Sequence, residues 1–209
     1  MSDRLTLGSP GDAGAFLARV VRLDPAALVR LRPYGEGDAV ALWTWLGIGV
    51  LAVRVVPGTV HADAVVSAAA LLDILGPEVD LPIRRDTEWR GPVPGAGFRR
   101  LEELPSEVVA RLAAAGERTF RDAVAAGTGS SRSGARALTE AVLDHVAVTD
   151  TGPAGDTADV PQRAVQALSS LGFVGTDPVP VDVTGAWLRL VGTYGAVHLR
   201  RGGGLALSL

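Results

Sequence analysis

The stretch AVALWTWLGIGVLAV, residues 39–53, is the longest uncharged run in the chain. It is shorter than the roughly 20 residues that a helix needs to cross a bilayer. The Gly-Ile-Gly at its centre predicts a turn between two buried strands. Upstream, AFLARVVRL (15–23) and ALVRLRP (27–33) alternate apolar residues and arginines, as half-buried strands do. The first sixty residues therefore predict an antiparallel sheet.

The apolar period changes after this sheet, in ADAVVSAAALLDILG (62–76). Val65, Ala69, Leu72 and Leu75 share one helical face, and Gly76 follows them, where a helix ends. The sequence predicts a single helix here, and such a helix covers one face of the sheet.

The second half of the chain predicts helices followed by strands. Helical patterns cover about 105–125 and 134–146, and a third helix begins at Asp159 as its N-cap and ends at Gly172 and Phe173. AWLRLV and YGAVHLRR then flank Gly192-Thr193, which predicts a two-residue hairpin turn. That register pairs Leu188 with Val197.

The predicted fold class is α+β. It comprises an N-terminal antiparallel sheet covered by a helix, then a helical segment, then a C-terminal β-hairpin or small sheet. The boundary between the two parts lies at residue 100, which gives an N-terminal part, 1–100, with a long Arg/Pro/Gly-rich loop and a C-terminal part, 101–209. The two parts form either separate domains or one compact unit.

The composition excludes several chemistries. The chain of 209 residues contains no cysteine, and all twenty of its basic residues are arginines. Thiolate nucleophiles, Cys-ligated metals, P-loop NTPases and Schiff-base enzymes are therefore excluded. The three histidines, His61, His145 and His198, share no metal-ligand spacing. The sequence assigns no catalytic residue, no metal and no cofactor, and it favours a non-catalytic protein over an enzyme.

Positive charge is concentrated in two segments of a chain whose net charge is −3. RRDTEWRGPVPGAGFRR (84–100) contains five arginines, a tryptophan and a phenylalanine, and the C-terminal hairpin contains three more arginines and no acid. Arginine beside an aromatic ring grips phosphate and stacks on bases. The candidate nucleic-acid or anion-binding residues are Arg84, Arg85, Trp89, Arg90, Arg99, Arg100, Trp187, Arg189, His198 and Arg200.

Each segment has a structural interpretation that the sequence leaves open. In the 84–100 segment, Trp89 and Phe98 anchor a long loop to the core while the arginines pair with nearby carboxylates. In the hairpin, the face with Trp187 and His198 has two interpretations. It forms the wing of a winged-helix module whose preceding helix contacts the DNA groove through Gln162, Arg163 and Gln166, or it packs against the N-terminal sheet or a partner chain.

Two segments carry a resemblance to a known family. VTGAWLRLVGTYGAVHLRR and VLAVRVVPGTVHADAVVSAAALL resemble a family of uncharacterised actinobacterial proteins. The resemblance implies no assigned activity and transfers no site residues.

Three hypotheses of function follow. The first is a non-catalytic regulatory protein that binds nucleic acid through the two arginine segments. The second is a protein–protein interaction or homo-oligomeric module with Trp43, Trp45 or Trp187 as anchors, and the third is an enzyme with an irregular site. The polar, Gly-rich start lacks an apolar leader, so the sequence predicts a cytoplasmic protein without membrane partners.

Overall fold

The computed structural model describes residues 3–126, 132–152 and 157–201. The chain divides after Val93 into two compact units. The boundary that the sequence predicts, residue 100, lies seven positions further on.

The described residues of unit 1 form six strands and two α-helices, followed by a short 3-10 helix at Asp86–Glu88. Their order is β1 (Arg4–Leu7), α1 (Pro10–Leu23), β2 (Leu28–Tyr34), β3 (Ala39–Leu46), β4 (Val50–Val60), β5 (Ala64–Ser67), α2 (Ala68–Asp73) and β6 (Glu78–Asp80). The strands pair antiparallel in the order β5-β2-β3-β4, and β1 joins β4 to β6. The predicted antiparallel sheet is confirmed.

The central stretch forms the hairpin that its Gly-Ile-Gly predicts. Leu46 pairs with Val50, and Gly49, at φ +74°, donates its N–H to the Leu46 carbonyl at 3.0 Å. Only glycine adopts this positive φ without strain. Val40, Leu42 and Leu51 are fully buried, so these strands form the core of unit 1.

Residues 15–23, predicted as a strand, form helix α1 instead. Pro10 lies in its first turn, where its missing N–H costs nothing, and Asp12 and Arg22 match the helix dipole. The buried residues recur at i, i+3, i+4 and i+7, namely Ala13, Phe16, Leu17 and Val20. This helical period, which includes Ala13, outweighs the shorter alternation of arginines and apolar residues.

The single helix predicted for 62–76 is also corrected, because its first part is strand β5. Val65 pairs with Arg30 of β2, and Ser67 caps the short helix α2 by accepting the Ala70 N–H at 3.3 Å. The β-branched pair Val65-Val66 favours the strand, and the alanines after Ser67 favour the helix.

Unit 2 contains the remaining elements. Their order is β7 (Arg99–Leu104), α3 (Ser106–Ala125), α4 (Arg132–Asp144), β8 (Val146–Thr151), β9 (Thr157–Pro161), α5 (Gln162–Ser170), β10 (Val179–Val183), β11 (Trp187–Gly192) and β12 (Gly195–Arg200). Its antiparallel sheet has the order β12-β11-β10-β7, and β8 and β9 form a separate pair. The predicted helical segment and C-terminal small sheet are confirmed.

Helix α5 ends as predicted but starts later. Gly172 has φ +63°, and Phe173 donates its N–H to the Leu168 carbonyl at 3.0 Å, which is the Schellman pattern. Asp159 is not the N-cap: it lies in β9, and the helix begins at Gln162 after Pro161. The predicted cap ignored Val160 and Pro161, which extend the strand.

The hairpin β11–β12 turns one position later than predicted. Gly192 pairs with Gly195, so Thr193 and Tyr194 form the turn, and Leu188 pairs with Leu199 instead of Val197. This shift moves each pairing by two residues and so preserves the predicted faces. Leu188, Leu190 and Val197 share one buried face, and helix α5 contacts both strands of the hairpin.

The same order of elements occurs once in each unit. A strand, a helix and a three-stranded meander follow one another as β1-α1-β2-β3-β4 and again as β9-α5-β10-β11-β12. In both cases the helix contacts the last two strands of its meander. Among the described residues, none of the helices is long and apolar enough to cross a membrane.

Candidate binding surfaces

The segment 84–88 forms hydrogen bonds with the outer edge of strand β5. Arg85 donates its N–H to the Val65 carbonyl at 2.7 Å, and the Val65 N–H is accepted by Asp86 Oδ1 at 2.7 Å. An edge strand with open N–H and C=O groups invites pairing with other chains. The first part of the arginine segment therefore has a structural role in the described fold.

Both arginines of this segment form ion pairs. Arg84 contacts Asp3 Oδ2 at 2.5 Å and Asp86 Oδ2 at 2.7 Å, and it donates a further hydrogen bond to the Asp63 carbonyl. Arg85 binds Glu88 through both carboxylate oxygens. Hydrogen bonds to Asp86 and Asp3 raise the pKa of Arg84, and the one to Glu88 raises that of Arg85. These pairings reduce the positive charge available to a polyanion.

The carboxylates of the segment predict a loss of stability in acid. Burial raises the pKa of Asp86, but hydrogen bonds from Arg84 and from the Val65 N–H outweigh it and hold that pKa below the ordinary 3.8. The bond from Arg85 lowers the pKa of Glu88 below 4.5. A lowered folded-state pKa gives stability that is present above the ordinary pKa and is lost as the pH falls through the folded one.

We therefore expect the midpoint of thermal unfolding to be steady above about pH 5 and to fall progressively as the pH drops below the ordinary carboxyl range of about 4 to 4.5. The measurement is thermal unfolding by circular dichroism across that range. The variant Asp86→Asn is expected to have a lower unfolding midpoint at neutral pH, and that midpoint is expected to change less as the pH falls. A steeper dependence in the variant would contradict this assignment.

A groove of about 450 Å³ lies beside the end of the same segment in unit 1. The residues that line it include Leu28, Trp45, Trp89, Arg90 and Gly91. Trp89 donates its indole N–H to the Gly91 carbonyl at 2.9 Å. Gly91 has φ +91°, and an added Cβ would lie 3.2 Å from Trp45 Cζ2, so the backbone passes directly over that ring.

Arg30 shows how the Trp89 ring binds a cation within the fold. The Arg30 guanidinium lies 5.6 Å from the ring centroid and pairs with both oxygens of Asp63 at 2.8 Å. Arg32 adds a third contact to Asp63 at 2.9 Å. Hydrogen bonding to Asp63 raises the pKa of Arg30. Stacking a cation on tryptophan is a favourable contact that this chain already uses.

In unit 2, four polar residues form one row across the sheet. Arg100 on β7 pairs with Asp182 on β10, which pairs with Arg189 on β11, which pairs with His198 on β12. The Asp182 side chain is 3% exposed and accepts Arg100 Nε at 3.0 Å and Arg189 Nη2 at 2.7 Å. Arg100 also binds Glu103, and its contact with Asp182 raises its pKa. A buried carboxylate needs such donors.

Aromatic rings contact Arg189 and His198 of this row and the neighbouring Arg200. The Arg189 guanidinium lies 4.1 Å from the Phe98 ring centroid, and Phe98 meets His198 edge-on at 5.6 Å. Arg200 lies 5.5 Å from the Trp187 ring. The loop-anchoring interpretation of Phe98 is consistent with these contacts.

The hairpin is not an exposed wing. Trp187 is 7% exposed and His198 is 3% exposed, and β11 lies between β10 and β12 in the sheet. Gln162, read as a groove-contacting residue, is buried and donates to the Leu112 carbonyl at 3.0 Å. The winged-helix interpretation is therefore wrong. Binding of an anion by the more exposed Arg99 and Arg200 stays a prediction.

The predicted site residues thus fall into two groups, one in each unit. Arg84, Arg85, Trp89 and Arg90 follow one another in unit 1, and the remaining candidates, Arg99, Arg100, Trp187, Arg189, His198 and Arg200, lie on β7, β11 and β12 in unit 2. Sequence reasoning missed Asp63 and Asp182, the carboxylates that organise their neighbouring arginines. A lone acid within the apolar strand VPVDV is the signal that points to Asp182.

Within the described residues, no group of three or more His, Asp or Glu side chains lies close enough together to hold a metal ion.

Two family models match the chain. A model described as a domain of unknown function, DUF8185, matches residues 93–204, and another, DUF8010, matches residues 1–91. The chain belongs to the DUF8185 family. This agrees with the predicted resemblance to an uncharacterised family, whose actinobacterial origin stays a prediction. No curated protein matches the sequence.

Solved structures show the same fold at low identity. The DNA polymerase sliding clamp from Caulobacter crescentus matches 96% of this chain at 10% identity and a TM-score of 0.56. The clamp from Bacillus subtilis matches 96% of it at 10% identity and 0.57. The beta subunit of DNA polymerase from Streptococcus pyogenes matches 95% at 10% and 0.57. The chain covers 64–65% of the length of these proteins, and at such identity the likeness concerns the fold alone.

Proposed function

We propose that this DUF8185 protein is a non-catalytic binding module that recruits a partner protein. The observation that carries the proposal is the clamp-like fold over 94–96% of the chain, found among proteins named as subunits or clamps of DNA polymerase. The proposal includes a cytoplasmic location and a role together with proteins that act on DNA.

Charge on the helices favours a protein partner over nucleic acid. Helix α3 carries three arginines against three acids, and α4 carries two against two. Arg163, the only basic residue of α5, pairs with Glu140 at 3.1 Å and with Asp144. Nonspecific binding of DNA needs several cations that release counterions from phosphate. The balanced charges of α3 and α4, on a chain of net charge −3, provide few of them.

Nucleic acid is the second candidate, supported by the exposed Arg90, Arg99 and Arg200. Self-association is a further prediction, which size-exclusion chromatography with light scattering tests.

The test of the proposed function is panning of a displayed library of short peptides on the purified protein. We expect the enriched peptides to share a motif, to compete with one another and to bind with a Kd of about 1–100 μM. The variant Trp89→Leu, which removes one aromatic wall of the unit 1 groove, is expected to lose this binding, and Tyr34→Leu, an exposed aromatic outside the groove, is the matched control. Failure to enrich any competing peptide would contradict a role as a peptide-recruiting module.

A further inference from the structure

The groove between Trp45 and Trp89 has the chemistry of a site for a basic side chain. Both rings are half-buried, and both line the groove. The face of an indole ring carries negative electrostatic potential, which attracts a guanidinium or ammonium group. The walls alone therefore favour a cation attached to an apolar stem over an anion.

Carboxylates supply the matching charge. Asp24 and Glu88 line the groove, and Arg90 is the one basic residue among the nine lining residues that the structure describes. Glu88 is already paired with Arg85. Asp24 is half-buried, and its Oδ1 accepts the Ala26 N–H at 2.9 Å, while no salt bridge to Asp24 forms within the described residues. Asp24 therefore contributes to the groove a carboxylate that has no arginine partner among the described residues.

The fold itself contains the same arrangement on a neighbouring surface. Arg30 lies against the Trp89 ring and is paired with Asp63, so a guanidinium is held between an indole and a carboxylate. The groove repeats this combination of ring and carboxylate, with Trp45, Trp89 and Asp24, but leaves room for a side chain from outside.

We infer that this groove binds an arginine or lysine side chain presented by an extended segment of the partner protein. The inference rests on the proposed function, since it names the chemistry of the partner that the module recruits. The stem of the side chain packs between the two indoles, and its cationic head meets Asp24. The acidic balance of the whole chain also favours a basic partner.

The experiment titrates N-acetyl-arginine methylamide into the full-length protein and follows the indole N–H signals by NMR. The chain has four tryptophans, so four signals are assigned by single Trp→Phe variants. Trp45 and Trp89 report on the groove, and Trp43 and Trp187, 8% and 7% exposed, serve as internal controls. The matched probe is the neutral isostere N-acetyl-citrulline methylamide.

We expect the arginine probe to shift the Trp45 and Trp89 signals with a Kd of about 1–10 mM, and the citrulline probe to bind at least about tenfold more weakly. Asp24→Asn keeps an acceptor for the Ala26 N–H, so it tests charge without removing the turn. This variant is expected to raise the Kd of the arginine probe by about threefold. Equal shifts with both probes, no shift at Trp45 and Trp89, or an unchanged Kd in Asp24→Asn would each overturn the inference.

The outcome is distinguishable from failure of the proposed function. Enriched library peptides that bind without a basic residue, and without shifting the Trp89 signal, overturn the cation site and leave the recruiting role intact. A library that yields no binding peptide overturns the recruiting role itself.

Discussion

The double variant Arg100→Met/Arg189→Met is expected to lose about 3–5 kcal/mol of unfolding free energy. Both arginines donate to Asp182, whose side chain is only 3% exposed. Without them a carboxylate remains in the sheet with its charge-assisted bonds removed, and methionine retains most of the apolar packing of the arginine stems. Urea unfolding followed by circular dichroism measures this loss.

The variant Asp182→Asn distinguishes the stability effect of the buried charge from that of general damage to the sheet. Alone, it is expected to cost only about 1–2 kcal/mol, because the half-exposed arginines can turn to water when their partner is neutral. Added to the double variant, it is expected to restore part of the lost stability. A double variant as stable as the wild type would show that Arg100 and Arg189 are not structural, and would reopen their role as anion-binding residues.

Gly58→Ala is expected to destabilise unit 1 by about 3 kcal/mol. Gly58 has φ +153°, and an added Cβ would lie 2.2 Å from the Thr6 carbonyl oxygen. Strand β1 pairs with β4 at this point, where Leu7 opposes Gly58, so the methyl group forces the two strands apart. The measurement is the midpoint of urea unfolding.

Gly37→Ala is the matched control for this variant. Gly37 also has a positive φ, +95°, but an added Cβ meets nothing within 4 Å. It is expected to lose only about 1 kcal/mol, the cost of backbone strain alone. Equal losses in the two variants would mean that the contact with β1 contributes nothing.

Local signals predicted those parts of the fold in which neighbouring residues decide the structure. The Gly-Ile-Gly turn between β3 and β4 and the Gly172 stop of α5 follow from positive φ at single glycines. Residues 15–23 were mispredicted because their arginines alternate over a short window, whereas the helical face of α1 begins at Ala13. The recurring strand–helix–meander order is a property of topology, with no repeated sequence to reveal it.

The candidate surfaces were less predictable because their partners are distant in sequence. The arginine segment and the hairpin were found from composition, but the carboxylates that pair with Arg84 and Arg189 include Asp3 and Asp182, which lie elsewhere in the chain. The groove combines residues 24–28, Trp45 and 88–91. No sequence spacing predicts that these three segments lie together. Their proximity depends on the pairing of β2 with β3 and on the hydrogen bonds between segment 84–88 and β5.

The most direct test of the central claim, a protein partner in place of nucleic acid, is binding of the purified protein to labelled single- and double-stranded DNA and RNA across a salt series. We expect weak binding at low salt that disappears by about 150 mM salt, with little change when Arg90, Arg99 and Arg200 are replaced by alanine. Tight binding at that salt, with a steep salt dependence that the triple variant flattens, would contradict it.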